Sequence, residues 1–323
     1  MKAFKKSIYI IPLIFFFASC EKVIQFNGPV TDPIVVVNSF VTPDSVVVAE
    51  VSLSRFFLSS DATFDMVNNA TVSLLVNGIQ KENLKFTSNG LYVGTYHPAV
   101  GDSISLLVQT PGKNNVSCSA VIEPQVSMIF PPDTTSVITG ASSPIVVVNK
   151  TTGVQDTIGN SFEKTLKFVL KFNDDSNVQN YYRLVVFTKT VTPYGAFSDY
   201  TFSFDDIVSG NANNTVGPPT SLTSNKYNVF SDDLFNGKQY PLTFSVQNNA
   251  NVYYPGKSVP GTQKEVYINL QSISKSYYLY LQTRASIKSN TFFAEPVQVY
   301  NNVDGGIGIL GSYTSNVRKL TLQ

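Results

Sequence analysis

The sequence predicts an all-β fold. Three observations carry that expectation. Apolar and polar residues alternate with a period of two along most of the chain. Short runs rich in Val, Ile, Thr, Phe and Tyr are punctuated by Gly, Pro, Asn and Asp at turn spacing. A helical pattern emerges in one segment only, near residue 280. The chain has 323 residues, 43% of them hydrophobic and 12% aromatic, with no Trp. That length fits two domains with real cores that need no disulfide staples.

Residues 1–19 have the order of a signal peptide. Lys2, Lys5 and Lys6 open it, Ile8 to Phe17 form an apolar run, and Ala18 and Ser19 are small. Cys20 follows at once, and this order resembles a bacterial lipoprotein signal, cut before the cysteine and acylated on its sulfur. Phe17 stands where such boxes most often have Leu. The apolar run is too short for a spanning helix, which needs roughly 20 apolar residues, and Pro12 interrupts it. Cys20 is therefore the expected lipidation site and the membrane the expected partner. Each buried methylene gives about 0.8 kcal/mol, so several chains hold durably where one does not.

Residues 20–32 read as a short tether, and residues 33–124 as an immunoglobulin-like β-sandwich of seven or so short strands. PIVVVNSFVT ends at the turn TPDS, and the next strand puts Val47, Ala49, Val51 and Leu53 on one face. ATVSLLVNG alternates Val72, Leu74 and Val76 and ends at Asn77-Gly78, a two-residue hairpin signal. Its partner, ENLKFTSNG, ends at Asn89-Gly90. LYVGTYHP, GDSISLLVQTPG and NVSCSAVIEP complete the set.

Residues 125–323 read as a larger β-rich domain with one helix, opened by Pro124. The stretch from Met128 to about Ser161 is turn-rich, with one apolar burst, IVVV. FEKTLKFVLKF is the clearest amphipathic strand, with Phe162, Leu166, Phe168, Leu170 and Phe172 on one face. The turn NDDSN predicts NYYRLVVFTKTV as its neighbour. Residues 205–228 read as a long loop. SISKSYYLYLQTRASIKSN predicts a helix capped by Ser274 and ended at Asn290, with Tyr277, Leu281 and Arg284 sharing a face. FFAEPVQVYNNVDGGIGILGSY and VRKLTLQ close the domain.

Several chemistries are excluded or left without a carrier. Loss of Lys2, Lys5 and Lys6 with the leader turns a formal charge of +1 slightly negative, so no basic field invites nucleic acid. Gly306-x-Gly308-x-x-Gly311 matches the dinucleotide fingerprint in letters, but no strand–helix unit surrounds it; the glycines instead suit a tight turn or close strand approach. Cys118 alternates with Val116, Ala120 and Ile122 and reads as a buried thiol. The one histidine, His97, reads as a strand-end residue. The pairs Asp174-Asp175, Asp205-Asp206 and Asp232-Asp233 fall at turns, which Asp favours for backbone reasons. The tyrosine pairs 181–182, 253–254 and 277–278 are open to a ligand-platform reading or to one ring in, one ring out. No catalytic, cofactor-binding or metal-ligating residue is assigned.

The lipobox, VVVNSFVTPDSVVVAEVSLS, NNATVSLLVNG with LYVGTYHP and GDSISLLVQTPG, and the C-terminal blocks FSDDLFNGKQYPLTF, INLQSISKSYYLYLQT and FAEPVQVYNNVDGGIGILGSY together resemble a family of Bacteroidota lipoproteins, domain of unknown function 4249. The resemblance implies an outer-membrane, lipid-anchored protein, encoded near TonB-dependent receptors and acting as a non-enzymatic accessory in nutrient capture. It carries over no functional residue. Glu21-Lys22 gives only a weak version of the acidic surface-export signal of such lipoproteins. An adhesin or envelope-structural protein is the first alternative expectation, and a carboxylate-based hydrolase, needing two carboxylates about 5–10 Å apart, the second.

Overall fold

The computed structural model describes residues 32–56, 63–149, 151–192, 195–200, 202–204, 206–209, 226–256, 263–287 and 298–322. Cys20, the signal peptide and nearly all of the tether lie outside these residues, as does most of 205–228. The fold is all-β with one α-helix of more than a turn among the described residues, and none of the described helices is long and apolar enough to cross a membrane.

The first module is built from β1 (Val35–Val41), β2 (Val48–Leu53), β3 (Thr71–Val76), β4 (Ile79–Ser88), β5 (Leu91–Val93), β6 (Ser103–Gln109) and β7 (Val116–Val121). Asn77 and Gly78, at φ 52° and 80°, turn β3 into β4, and Asn89 and Gly90, at 48° and 72°, turn β4 into β5. These left-handed pairs match the twist of tight hairpins. Val47, Ala49 and Val51 face Val72, Leu74, Ile104, Leu106 and Cys118 in one core, all buried. The phenol of Tyr92 reaches across that core, donating to the carbonyl of Val67 at 2.9 Å and accepting from the amide of Ala70 at 2.9 Å.

Two further strands of this module come from the far end of the chain: β15 (Val303–Asp304) and β16 (Ile307–Leu322). β15 pairs with β7, and residues 307–312 of β16 pair in parallel with β1. The order is therefore β16-β1-β2-β5-β4-β3-β6-β7-β15. Asn302 ties the two ends of this path together. Its side-chain amide donates to the carbonyls of Ser119 (3.1 Å) and Leu310 (2.9 Å) and accepts from the Leu310 amide (2.9 Å).

The second module has two layers. One contains β10 (Tyr181–Thr192), β11 (Gly195–Asp199), β12 (Val229–Ser231), β14 (Gln263–Ile273) and residues 313–322 of β16; the other contains β8 (Ser127–Val148), β9 (Gln155–Asn173) and β13 (Gln239–Tyr253). Leu166, Phe168, Leu170 and Phe172 of β9 meet Leu184, Val186, Ile268 and Leu270 between the layers. Phe168 stacks on Phe244 at 5.1 Å. Burying each of these side chains contributes about 1.5–3 kcal/mol.

Three expectations for this module are corrected. The turn-rich stretch after Met128 is mostly one long strand, β8, whose register shifts fall between Ile129 and Asp133, Ile138 and Ser142, and Ile145 and Val146. Pro131, Pro132 and Gly140 sit inside the first two of these bulges, where a strand tolerates them. The segment NYYRLVVFTKTV is not the neighbour of the amphipathic strand. β9 pairs with β8 and β13, and the Asp174–Asn180 turn carries the chain to the opposite layer, so Phe172 and Tyr182 meet edge-on across the interior, 5.1 Å apart. The helix, α1 (Lys275–Ala285), starts at Ser274 as expected but is capped at Ser286, short of Asn290, which lies outside the described residues. Tyr277 and Leu281 of α1 pack on Tyr181, Val229 and Ile273, on the outer face of the sheet.

The glycines near the end of the chain serve close strand approach. Gly308 has φ 129°, and a Cβ there would lie 2.0 Å from the Val37 carbonyl oxygen. Gly308→Ala is expected to cost about 3 kcal/mol, from backbone strain plus the forced separation of β1 and β16, read as a lowered urea midpoint. An unchanged midpoint would contradict this account of the strand crossing.

Candidate functional site

A cleft of about 500 Å³ opens on the second module between the 3-10 turn Ile207–Ser209, β12, the turn after β12, and α1. Its walls are placed by carboxylates used as brackets. Asp206 is buried and accepts from the Val208 amide (3.2 Å), the Tyr240 hydroxyl (2.5 Å), the Thr243 amide (2.7 Å) and the Thr243 hydroxyl (2.9 Å). This fastens the 3-10 turn to β13. Burial, followed by the bond to Asp206, pushes the Tyr240 phenol well above its ordinary pKa.

The opposite wall is held similarly. Asp232 is fully buried; one carboxylate oxygen accepts from the Asn180 amide at 2.8 Å, and its own carbonyl accepts from the Phe235 amide at 2.8 Å. The other carboxylate oxygen has no hydrogen-bond partner among the described residues. Asp174 accepts from the Tyr182 hydroxyl and, at 2.7 Å, from the amide of Gly237. Burial raises the Asp232 pKa, and the neighbouring Asp174 and Asp233 raise it further, against the lowering bond from Asn180.

Of the turn carboxylates noted in the sequence, Asp233 lines the cleft. It accepts from the Gln179 amide at 2.7 Å and the Ser231 hydroxyl at 2.6 Å. Asp175 accepts from the Asn177 amide at 3.0 Å, and Asp205 lies outside the described residues. Tyr278 lines the cleft from α1, its ring 4.8 Å from that of Tyr181 and its hydroxyl accepting from Gln282 at 2.6 Å. Burial is the main cause of the raised Tyr278 pKa. Ile207 and Leu234 line the cleft while 69% and 63% exposed.

The other candidates scatter. Cys118 is buried on β7, unpaired, and burial pushes its thiol up to about 12. His97 is exposed in the segment that follows β5. Tyr181 and Tyr182 face different cores, both buried, because α1 covers the outer face of the sheet. Tyr254 is exposed on a different part of the module. Among the described residues there is no cluster of three or more His, Cys, Asp or Glu able to hold a metal. Sequence reasoning missed Ile207, Leu234 and Gln282. A signal for the first two exists: Asp-Asp-Ile-Val and Asp-Asp-Leu-Phe repeat one pattern, an apolar pair after a turn carboxylate pair.

Fold and site thus define a two-module all-β protein with a ligand-sized cleft on its second module. The chain belongs to the DUF4249 family, a domain of unknown function whose model matches residues 21–319. No curated protein matches it. A solved structure described as "Putative membrane anchored protein" from Corynebacterium diphtheriae is similar over 78% of this chain, at 9% identity and a TM-score of 0.21. This chain covers 56% of that one.

Two outcomes test the site's electrostatics and packing. A carboxyl whose pKa is raised on folding contributes stability below its unfolded pKa and loses it as the pH rises through the folded pKa. Asp232→Asn is therefore expected to lose stability relative to wild type near pH 4 and to recover or surpass it near pH 8, as read by melting temperatures across that range. Cys118 is expected to resist iodoacetamide at pH 8 in the native protein and to react fully in urea; rapid native labelling would contradict its burial.

Proposed function

We propose that this is a non-enzymatic, lipid-anchored accessory of a TonB-dependent outer-membrane uptake system, fixed through acylated Cys20 and working by ligand capture or receptor docking. The observation that carries the binding role is the cleft, whose volume falls in the range of small-molecule sites and whose walls combine apolar side chains with a few polar groups. Asp233 is the one carboxylate lining it among the described residues, whereas hydrolysis of a glycoside by paired carboxylates needs two. The lipid anchor rests on the order of charge, apolar run, small pair and cysteine, and the receptor on the family resemblance.

A second surface favours docking. The outer parts of β8, β9 and β13 form a ribbon with exposed Val146, Val147, Val148 and Val252. Adjacent valines on a strand point to opposite faces, so both faces of this ribbon carry apolar surface. These exposed side chains supply apolar surface that a docked receptor would cover.

Purification of the native protein from detergent-solubilised outer membrane is expected to yield a chain beginning at acylated Cys20, together with a TonB-dependent receptor. The double variant Val146→Lys, Val252→Lys is expected to fold normally and recover several-fold less receptor. Isolation of an unacylated chain, or of the acylated chain alone, would count against the proposal.

A further inference from the structure

We infer that the cleft takes a ligand with an apolar body and a single cationic group, an amine or guanidinium. This rests on the reading of the cleft as a binding site and adds the chemistry of its occupant. Ile207 and Leu234 line the cleft and are largely exposed, and Val229 and Phe230, which also line it, are buried. These side chains favour an apolar partner.

Among the described residues the charge lining the cleft is one-sided. No Lys, Arg or His lines the cleft among its described residues, and Asp233 is the charged group that does. Its two hydrogen-bond donors, Gln179 and Ser231, are uncharged and leave its negative charge in place. Asp232 stands directly behind it in the chain, so no compensating base is supplied from that side. Both carboxylates act on Tyr181, whose raised pKa has burial as its first cause and Asp233 and Asp232 as the next two. Arg284, on α1, is directed elsewhere: it lies over the rings of Tyr227 and Tyr280 and donates to the Tyr280 hydroxyl at 3.0 Å. An anion would meet repulsion at Asp233, and a neutral ligand would gain nothing from its charge.

The test compares 4-phenylbutylamine, 4-phenylbutanol and 4-phenylbutanoate by calorimetry at pH 7, using the mature acylated protein in detergent with empty micelles subtracted. The amine is expected to bind about fivefold more tightly than the alcohol, a modest ratio because Asp233 is exposed, and the acid more weakly than either. Asp233→Asn is expected to erase the advantage of the amine and leave the alcohol unchanged, while Leu234→Ser weakens amine and alcohol alike. Equal binding of amine and alcohol to the wild type, or an amine advantage that survives Asp233→Asn, would overturn the cationic assignment and leave the cleft standing as an apolar site. Absence of binding by all three would overturn the cleft reading and this inference together.

Discussion

Everything else in the molecule is indexed to one residue, Ser312. It is fully buried at the point where β16 stops pairing with β1 and begins pairing with β14. Its amide donates to the Ser274 hydroxyl at 3.1 Å, its carbonyl accepts from the Ser274 amide at 3.0 Å, and its hydroxyl donates to the Val121 carbonyl. Ser274 is also the N-cap of α1. One knot of hydrogen bonds therefore joins β7, the shared strand and the start of the helix. Because α1 forms a wall of the cleft, the geometry of the cleft is tied to the strand that both modules share. Gly311, next in line, leaves room for Tyr277, whose Cβ would lie 2.9 Å from a Cβ at that position.

The carboxylates show how the cleft keeps its shape without regular secondary structure on two sides. Asp206 and Asp232 each replace backbone partners that a strand would have provided. A buried carboxylate accepting several N–H and O–H bonds is a strong bracket, and an orphaned oxygen in such a bracket is costly. Asp206 is fully engaged, whereas Asp232 keeps one oxygen unpartnered. The two walls thus differ in hydrogen bonding by a single atom, and the wall with the orphan carries both Asp233 and Leu234.

What could be read in the sequence was local. Asn77-Gly78 and Asn89-Gly90 announce their turns because few residues other than Asn and Gly adopt left-handed angles at low cost. The alternation through Cys118 and through Leu166–Phe172 identifies the inward faces correctly, since one side of each strand is buried. Ser274 announces the helix through its own side chain. The parallel pairing of β1 with β16 left no such trace, because the partners lie roughly 270 residues apart and no turn chemistry specifies them. The misplacement of β10 beside β9 has the same origin: a short Asp-rich turn serves a hairpin and a crossing between layers equally well. The cleft was invisible because it is assembled from three separated segments, 207–209, 229–234 and 278–286. Only the repeated pair of apolar residues after Asp-Asp hinted at it.

The sharing of β16 also governs how the chain must come into being. Synthesis proceeds from the amino end, so the residues of β1 to β7 are made before the strand that completes their sheet. Until β16, residues 307–322, arrives, the edge of β1 stays open, an invitation to mispairing with any passing strand. Loss of those final residues would strike the first module as well as the second.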